Sequence, residues 1–258
     1  MEESGTNKIS RLQKLSQSPA EESARSLVEF PFSLCTCQNL GKPYKPSYKL
    51  SHLFHGVFHM SAHILLASGS EIRAQLLRQA GVPFEVQVAR VDEEAIKAAL
   101  LAEAADPRDI ADALAEAKAR KVSMKTPGPL VLGCDQVLDF EGSLLSKPKS
   151  EEEALAQLSA MRGKRHMLLS AAVIYRDGEP IWRHVGQVRL RMHNCSDSYL
   201  SSYVARNWQS IQHAVGAYKL EEEGVRLFSN IEGSYFNVLG LPLVELLNYL
   251  GLQGVIEQ

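Results

Sequence analysis

The stretch Ile64-Leu65-Leu66-Ala67-Ser68-Gly69-Ser70-Glu71-Ile72-Arg73-Ala74-Gln75-Leu76-Leu77 constrains this chain more than any other. It opens as a short apolar run, turns through Ser-Gly-Ser, and continues with Ile72, Leu76, Leu77 and Ala80 on one side of a helix. Ser68 and Glu71 have the spacing of a capping box, and Gly81 and Pro83 stop the helix. A strand that turns directly into a helix aims the first free N–H groups of that helix into the turn, where they favour an anion such as phosphate or carboxylate. Arg73, one turn in, can add a bidentate contact. An ordinary strand–turn–helix with a surface arginine accounts for the same residues without a ligand.

The 258 residues suffice for one large domain or two modest ones, and a net charge of −2 gives no general attraction to nucleic acid or to a membrane surface. Cysteines 35, 37, 134 and 195 form no CxxC pair, which points to a reducing, cytoplasmic setting without a disulfide framework. No apolar run approaches the roughly 20 residues that cross a bilayer. Residues 1–59 are rich in Ser, Pro, Lys and Gln and hold seven basic against five acidic residues, so they are expected to be a disordered extension ahead of a domain at 60–258. His52, His55, His59 and His63 have helix-face spacing, but no carboxylate or cysteine backs them, and they read as neutral surface histidines.

Beyond the opening unit the chain alternates. Residues 84–88 are predicted as a strand and 95–104 as a helix. Asp106-Pro107 starts another helix, whose apolar stripe of Ile110, Ala113, Leu114 and Ala117 is bordered by Lys118. Residues 129–138 read as a buried strand interrupted by Asp135. A carboxylate there must be paired, bind a metal or have a shifted pKa. Glu141-Gly142 makes a hairpin turn, and Ser150 and Glu153 cap a helix over 151–161 that Gly163 ends. Strands over 166–175 and 180–192 are joined at Asp177-Gly178. A helix over 199–206, a strand over 226–231 and a last helix from 241 to 250 complete an α/β chain with a mixed sheet.

There is no Walker A loop, GxGxxG, HExxH or GxSxG. An anion-binding turn, scattered carboxylates (Glu93, Asp135) and scattered lysines (Lys118, Lys147) suit a polyphosphate accompanied by a divalent cation.

In order along the chain stand Leu66-Ala67-Ser68-Gly69-Ser70 with Arg73, Val91-Asp92-Glu93, Leu114-Ala115-Glu116-Ala117-Lys118-Ala119, Gly133-Cys134-Asp135-Gln136, Lys147-Pro148 and Asn237-Val238-Leu239-Gly240-Leu241-Pro242. Together they resemble the Maf family of nucleoside triphosphate pyrophosphatases over about residues 62–250. The resemblance implies a two-lobed α/β fold of the Maf/ITPase kind, with a cleft across a long mixed sheet and usually a homodimer. It implies hydrolysis of a nucleoside triphosphate to monophosphate and pyrophosphate with Mg²⁺ or Mn²⁺. By motif position Asp135 matches the catalytic acid/base and, with Glu93, the metal-holding pair. Ser68, Ser70, Arg73, Lys118 and Lys147 match phosphate-handling positions, and Ile72, Gln136 and Glu221 match those that separate substrate classes. Gln136 with Glu221 resembles the branch acting on 7-methyl-GTP. A dTTP/UTP enzyme and a non-catalytic nucleotide-binding regulator of cell division are the alternatives. Two departures stand out: the usual Ser-Pro-Arg-Arg turn is here Ser70-Glu71-Ile72-Arg73, and Ile72 stands where that branch often has an aromatic.

Overall fold

The computed structural model describes residues 63–257. The expected extension over 1–59, with His52, His55, His59, Cys35 and Cys37, lies outside the described residues. Of the four histidines only His63 is described, and its Nε2 lies 2.9 Å from Glu85 Oε1.

Strand β1 (Ile64–Leu66) runs parallel both to β2 (Phe84–Val86) and to the start of β3 (Leu130–Phe140). From β3 the sheet continues antiparallel through β5 (Arg165–Arg176), β6 (Glu179–Met192) and β7 (Phe228–Glu232), giving the order β2-β1-β3-β5-β6-β7. The short strand β4 (Ser143–Leu145) pairs with the far end of β3, on the edge that β1 also uses. Both hairpin turns use left-handed pairs, Glu141-Gly142 and Asp177-Gly178, whose twist matches that of the flanking strands.

Among the described residues seven helices cover this mixed sheet: α1 (Glu71–Gln79), α2 (Glu93–Ala102), α3 (Pro107–Ser123), α4 (Glu151–Met161), α5 (Asp197–Ile211), α6 (Tyr235–Val238) and α7 (Leu243–Leu252). Side chains alternate across β3. Its odd-numbered residues Val131 and Val137 pack under α3 with Ala171 and Val173 of β5. Gly133 lies under α3 at such close approach that a Cβ would come 2.2 Å from Ala115 O. The even-numbered residues meet two separate cores. Leu130, Leu132 and Cys134 join α1 and α7, whereas Leu138 and Phe140 join α4 and α5. Between them, in register across three strands, lie Gln136, Ser170 and Gly186. That row splits the even face into two lobes, as the expected fold requires.

Several boundaries differ from the sequence reading. The capping box of Ser68 with Glu71 does not form. Ser70 occupies the N-cap of α1 without a side-chain cap bond, and Ser68 Oγ instead accepts from Ser70 N–H and from Arg73. A buried guanidinium is the stronger claimant on that oxygen. Helix α2 begins at Glu93 because Asp92 accepts from Ala95 N–H at 3.0 Å. Ser196 caps α5, which starts at Asp197, two residues before the expected Tyr199, and a 3₁₀ turn over Glu223–Leu227 delays β7 to Phe228. Ser150 caps α4 as expected. No described helix is long and apolar enough to cross a membrane.

Candidate active site

Strand β3 is paired on one edge with β5 along almost its whole length. On the other edge β1 pairs with residues 130–132 and β4 with residues 138–140. Residues 133–137 between them form an open stretch of edge, flanked by the C-terminal end of β1. Ligands bind at such crevices in α/β sheets. Asp135 and Gln136 are neighbours in this gap and point to opposite faces.

On the odd face Asp135 is 7% exposed and Lys118 of α3 is likewise 7% exposed. Lys118 Nζ lies 2.6 Å from Asp135 Oδ1 and 2.9 Å from Glu93 Oε1. The lysine that bordered the apolar stripe therefore does not lead its head into water. It sits between the two carboxylates that the resemblance singled out. Burying Asp135 in an apolar strand is costly unless it is paired, and this ammonium supplies the pairing. The close approach of α3 over Gly133 carries Lys118 to the strand.

From the β1 side, Arg73 is buried and uses three of its five N–H groups within the fold. Nε donates to Gly240 O at 2.7 Å, and Nη1 donates to Cys134 O at 3.0 Å and to Ser68 Oγ at 3.2 Å. Leu132 O accepts from Ala67 N, so the guanidinium on Cys134 O takes the next carbonyl of the open edge. Arg73 thus ties the Ser68-Gly69-Ser70 turn, β3 and the segment after α6 into one unit. Ser70 leaves the first N–H groups of α1 uncapped. Glu71, the acid that departs from the usual turn, pairs with Arg78 Nη1 at 2.6 Å. Ile72 is half-buried against the α1/α7 core. Lys147, two residues beyond β4, is exposed on the opposite side of the gap. Burial pushes the Cys134 thiol up to about 11 despite Arg73 and Lys118 nearby, so it is inert.

On the even face Gln136 Nε2 donates to Ser170 Oγ at 2.9 Å, Asn237 O at 2.9 Å and Val238 O at 3.0 Å. Ser170 Oγ donates to Asn237 O at 2.6 Å. The Asn237 side chain fills the space over Gly186, where a Cβ would come 2.3 Å from its amide nitrogen. Glu221 is exposed in the loop beyond the 3₁₀ turn Val215–Ala217. Of the acidic run 221–223, Glu223 pairs with Arg206 at 2.7 Å and Glu222 accepts from Ser210 Oγ at 2.8 Å. Among the described residues Glu221 alone of the three carries no hydrogen bond or ion pair. Ser170, Gly186 and Asn237 were not singled out from the sequence. Only Asn237 left a trace there, as part of the Asn237–Pro242 motif.

No cluster of three or more His, Cys, Asp or Glu side chains suited to a metal occurs among the described residues. Two carboxylates nevertheless fit Mg²⁺ or Mn²⁺, which bind through one or two carboxylates and complete their shell with water and substrate phosphate. Glu93 and Asp135 each offer one oxygen to Lys118 and keep the other.

Residues 63–252 match the family described as Maf-like protein. A nucleoside triphosphate pyrophosphatase from Ruegeria sp. (strain TM1040) is 78% identical over 199 residues, which are 77% of this chain and 100% of the relative. One from Caulobacter vibrioides is 52% identical, covering 75% of this chain and 96% of the relative. A 7-methyl-GTP pyrophosphatase from Brucella abortus is 41% identical over 77% of this chain and 100% of its own length. Among solved structures, a nucleoside-triphosphatase (dITP/XTP pyrophosphatase) from Mycobacterium abscessus aligns with a TM-score of 0.32 at 15% identity, covering 76% of this chain and 98% of that one. On the extent of the family match and these identities, the chain belongs to the Maf family.

Proposed function

We propose that this chain hydrolyses a nucleoside triphosphate to its monophosphate and pyrophosphate, with 7-methyl-GTP as the preferred substrate. The observation that carries the reading is the Glu93–Lys118–Asp135 triplet at the open edge of β3, opposite an uncapped helix N-terminus. The names of the similar proteins support the reaction class.

In this reading the triphosphate lies against the Ser68–Ser70 turn, where the N–H groups of α1, the serines and the remaining guanidinium N–H groups of Arg73 receive it. Lys147 closes over it from the β4 side. Asp135 takes the proton of the attacking water on the carboxylate oxygen that Lys118 leaves free. The water oxygen bonds to the α-phosphorus, the bond to the bridging oxygen breaks, and pyrophosphate leaves with that electron pair. Lys118 holds Asp135 in orientation and offsets negative charge as it shifts. Glu93 and Asp135 are the residues that would hold a divalent cation, which would supply further charge neutralisation on the phosphates.

The base lies toward the even face, near Gln136 and Glu221. Guanine presents two donors, N1–H and the N2 amino group, and an ionised carboxylate can accept both. Methylation at N7 adds positive charge to the ring, which strengthens the contact. The test is pyrophosphate release from 7-methyl-GTP, GTP, dTTP and UTP. Preference for 7-methyl-GTP is expected. Preference for dTTP or UTP overturns the base assignment, and no turnover of any nucleotide overturns the enzyme reading.

A further inference from the structure

Tyr235 is 48% exposed and is the one aromatic among the exposed large apolar side chains of the described residues. It opens α6, and its neighbours Asn237 and Val238 are buried. Their carbonyls accept from Gln136, and the Asn237 side chain is seated over Gly186. Just beyond, Gly240 O accepts from Arg73 Nε. The segment carrying Tyr235 is therefore pinned to the gap at two points, by the candidate specificity residue and by the arginine of the phosphate-facing turn. Partial burial, with a smaller contribution from the Glu221 carboxylate, raises the Tyr235 phenol above its ordinary value. The ring is thus an exposed aromatic face held on a fixed support.

We propose that Tyr235 is the base-stacking and specificity-determining residue of this site, a proposal that rests on the nucleotide reading above. Any base offers a π-face, so stacking alone is tolerant. A 7-methylguanine ring is cationic, and a cation over an aromatic face beside an anion is favoured over an uncharged ring in the same place. Tyr235 and Glu221 together would then recognise charge on the base, whereas Gln136 positions the segment that displays the ring. The same tyrosine as a plainly solvated surface ring would affect none of this.

The experiment compares kcat and KM for 7-methyl-GTP, GTP and UTP in the wild type, Tyr235→Leu and Tyr235→Phe, with thermal melts to establish folding. Tyr235→Leu should raise KM for 7-methyl-GTP by roughly 10-fold and affect kcat little, with a smaller rise for UTP. Tyr235→Phe keeps the ring and should restore the wild-type KM. An unchanged KM in the leucine variant overturns the proposal, as does a loss that phenylalanine fails to rescue. If the wild type prefers a pyrimidine, the 7-methyl-GTP reading falls separately. The stacking role then stands or falls on KM for that preferred nucleotide in the same variants.

Discussion

The two faces of β3 at the open edge differ in how they hold their polar groups. On the odd face Lys118 is shared between Asp135 and Glu93, and all three are ionisable. On the even face Gln136, Ser170 and Asn237 are linked by neutral hydrogen bonds. Charge arranged within an apolar strand is suited to stabilising a charge that moves. A neutral network fixes shape, because every member that lacks its partner costs about 1–3 kcal/mol. In the proposed reading one strand supports chemistry on one face and recognition on the other. The glycines match this division, with Gly133 admitting α3 and Gly186 admitting Asn237.

The largest expected effect breaks the odd face. Asp135→Asn keeps size but removes the base and its charge, and should lower kcat by roughly 10²–10⁴-fold while nucleotide binding persists. Steady-state turnover and equilibrium binding separate the two. Wild-type turnover in this variant would move the base elsewhere, with Glu93 the next candidate.

A buried histidine on the even side gives the next test. His166 belongs to the core of α4 and α5; its Nε2 lies 2.8 Å from Tyr218 Oη, and its Nδ1 is buried without a partner. Burial lowers its pKa from 6.5 to about 4, so the folded state holds it neutral. The unfolded chain takes up the proton below 6.5 and the folded state does not. Its contribution is fully present above pH 6.5 and falls by about 3 kcal/mol as pH drops to 4. Denaturant melts across that range should show the loss, and His166→Phe should flatten it. An equally steep acid limb in the variant would assign the effect to other groups.

The two glycines give a paired test. Gly133→Ala forces a methyl group against the α3 backbone and should cost about 1–3 kcal/mol and lower kcat by displacing Lys118. Gly186→Ala presses on Asn237 and should raise KM with kcat kept. Identical kinetic signatures from the two would erase the distinction between faces. The smallest effect is Glu221→Gln, expected to shift the kcat/KM ratio of 7-methyl-GTP to UTP toward UTP by about 10-fold. An unchanged ratio would make Glu221 a surface acid.

Much of this was legible in the sequence. The strand–turn–helix of residues 64–79 announces itself by periodicity, and Asp135 by being a charge inside an apolar run. Lys118 was ambiguous, because a lysine beside a stripe usually reaches for water, and its two carboxylates come from α2 and β3. Arg73 read as a free phosphate contact because its partners Gly240 O and Cys134 O are backbone atoms, which carry no residue signature. The row Gln136–Ser170–Gly186 exists only through strand register, and no local pattern encodes the neighbours of a residue across two strands. The capping box failed for a related reason: local spacing offered Ser68 to the helix, and tertiary packing gave it to Arg73.

In the proposed reading phosphate chemistry and base recognition occupy opposite faces of β3 within the gap. A crystal structure with a non-hydrolysable 7-methyl-GTP analogue tests it most directly. The expected result places the α-phosphate beside Asp135 and Lys118, with the base against Tyr235 and Glu221. A base found on the α3 side, or a triphosphate away from the Ser68–Ser70 turn, would contradict the account.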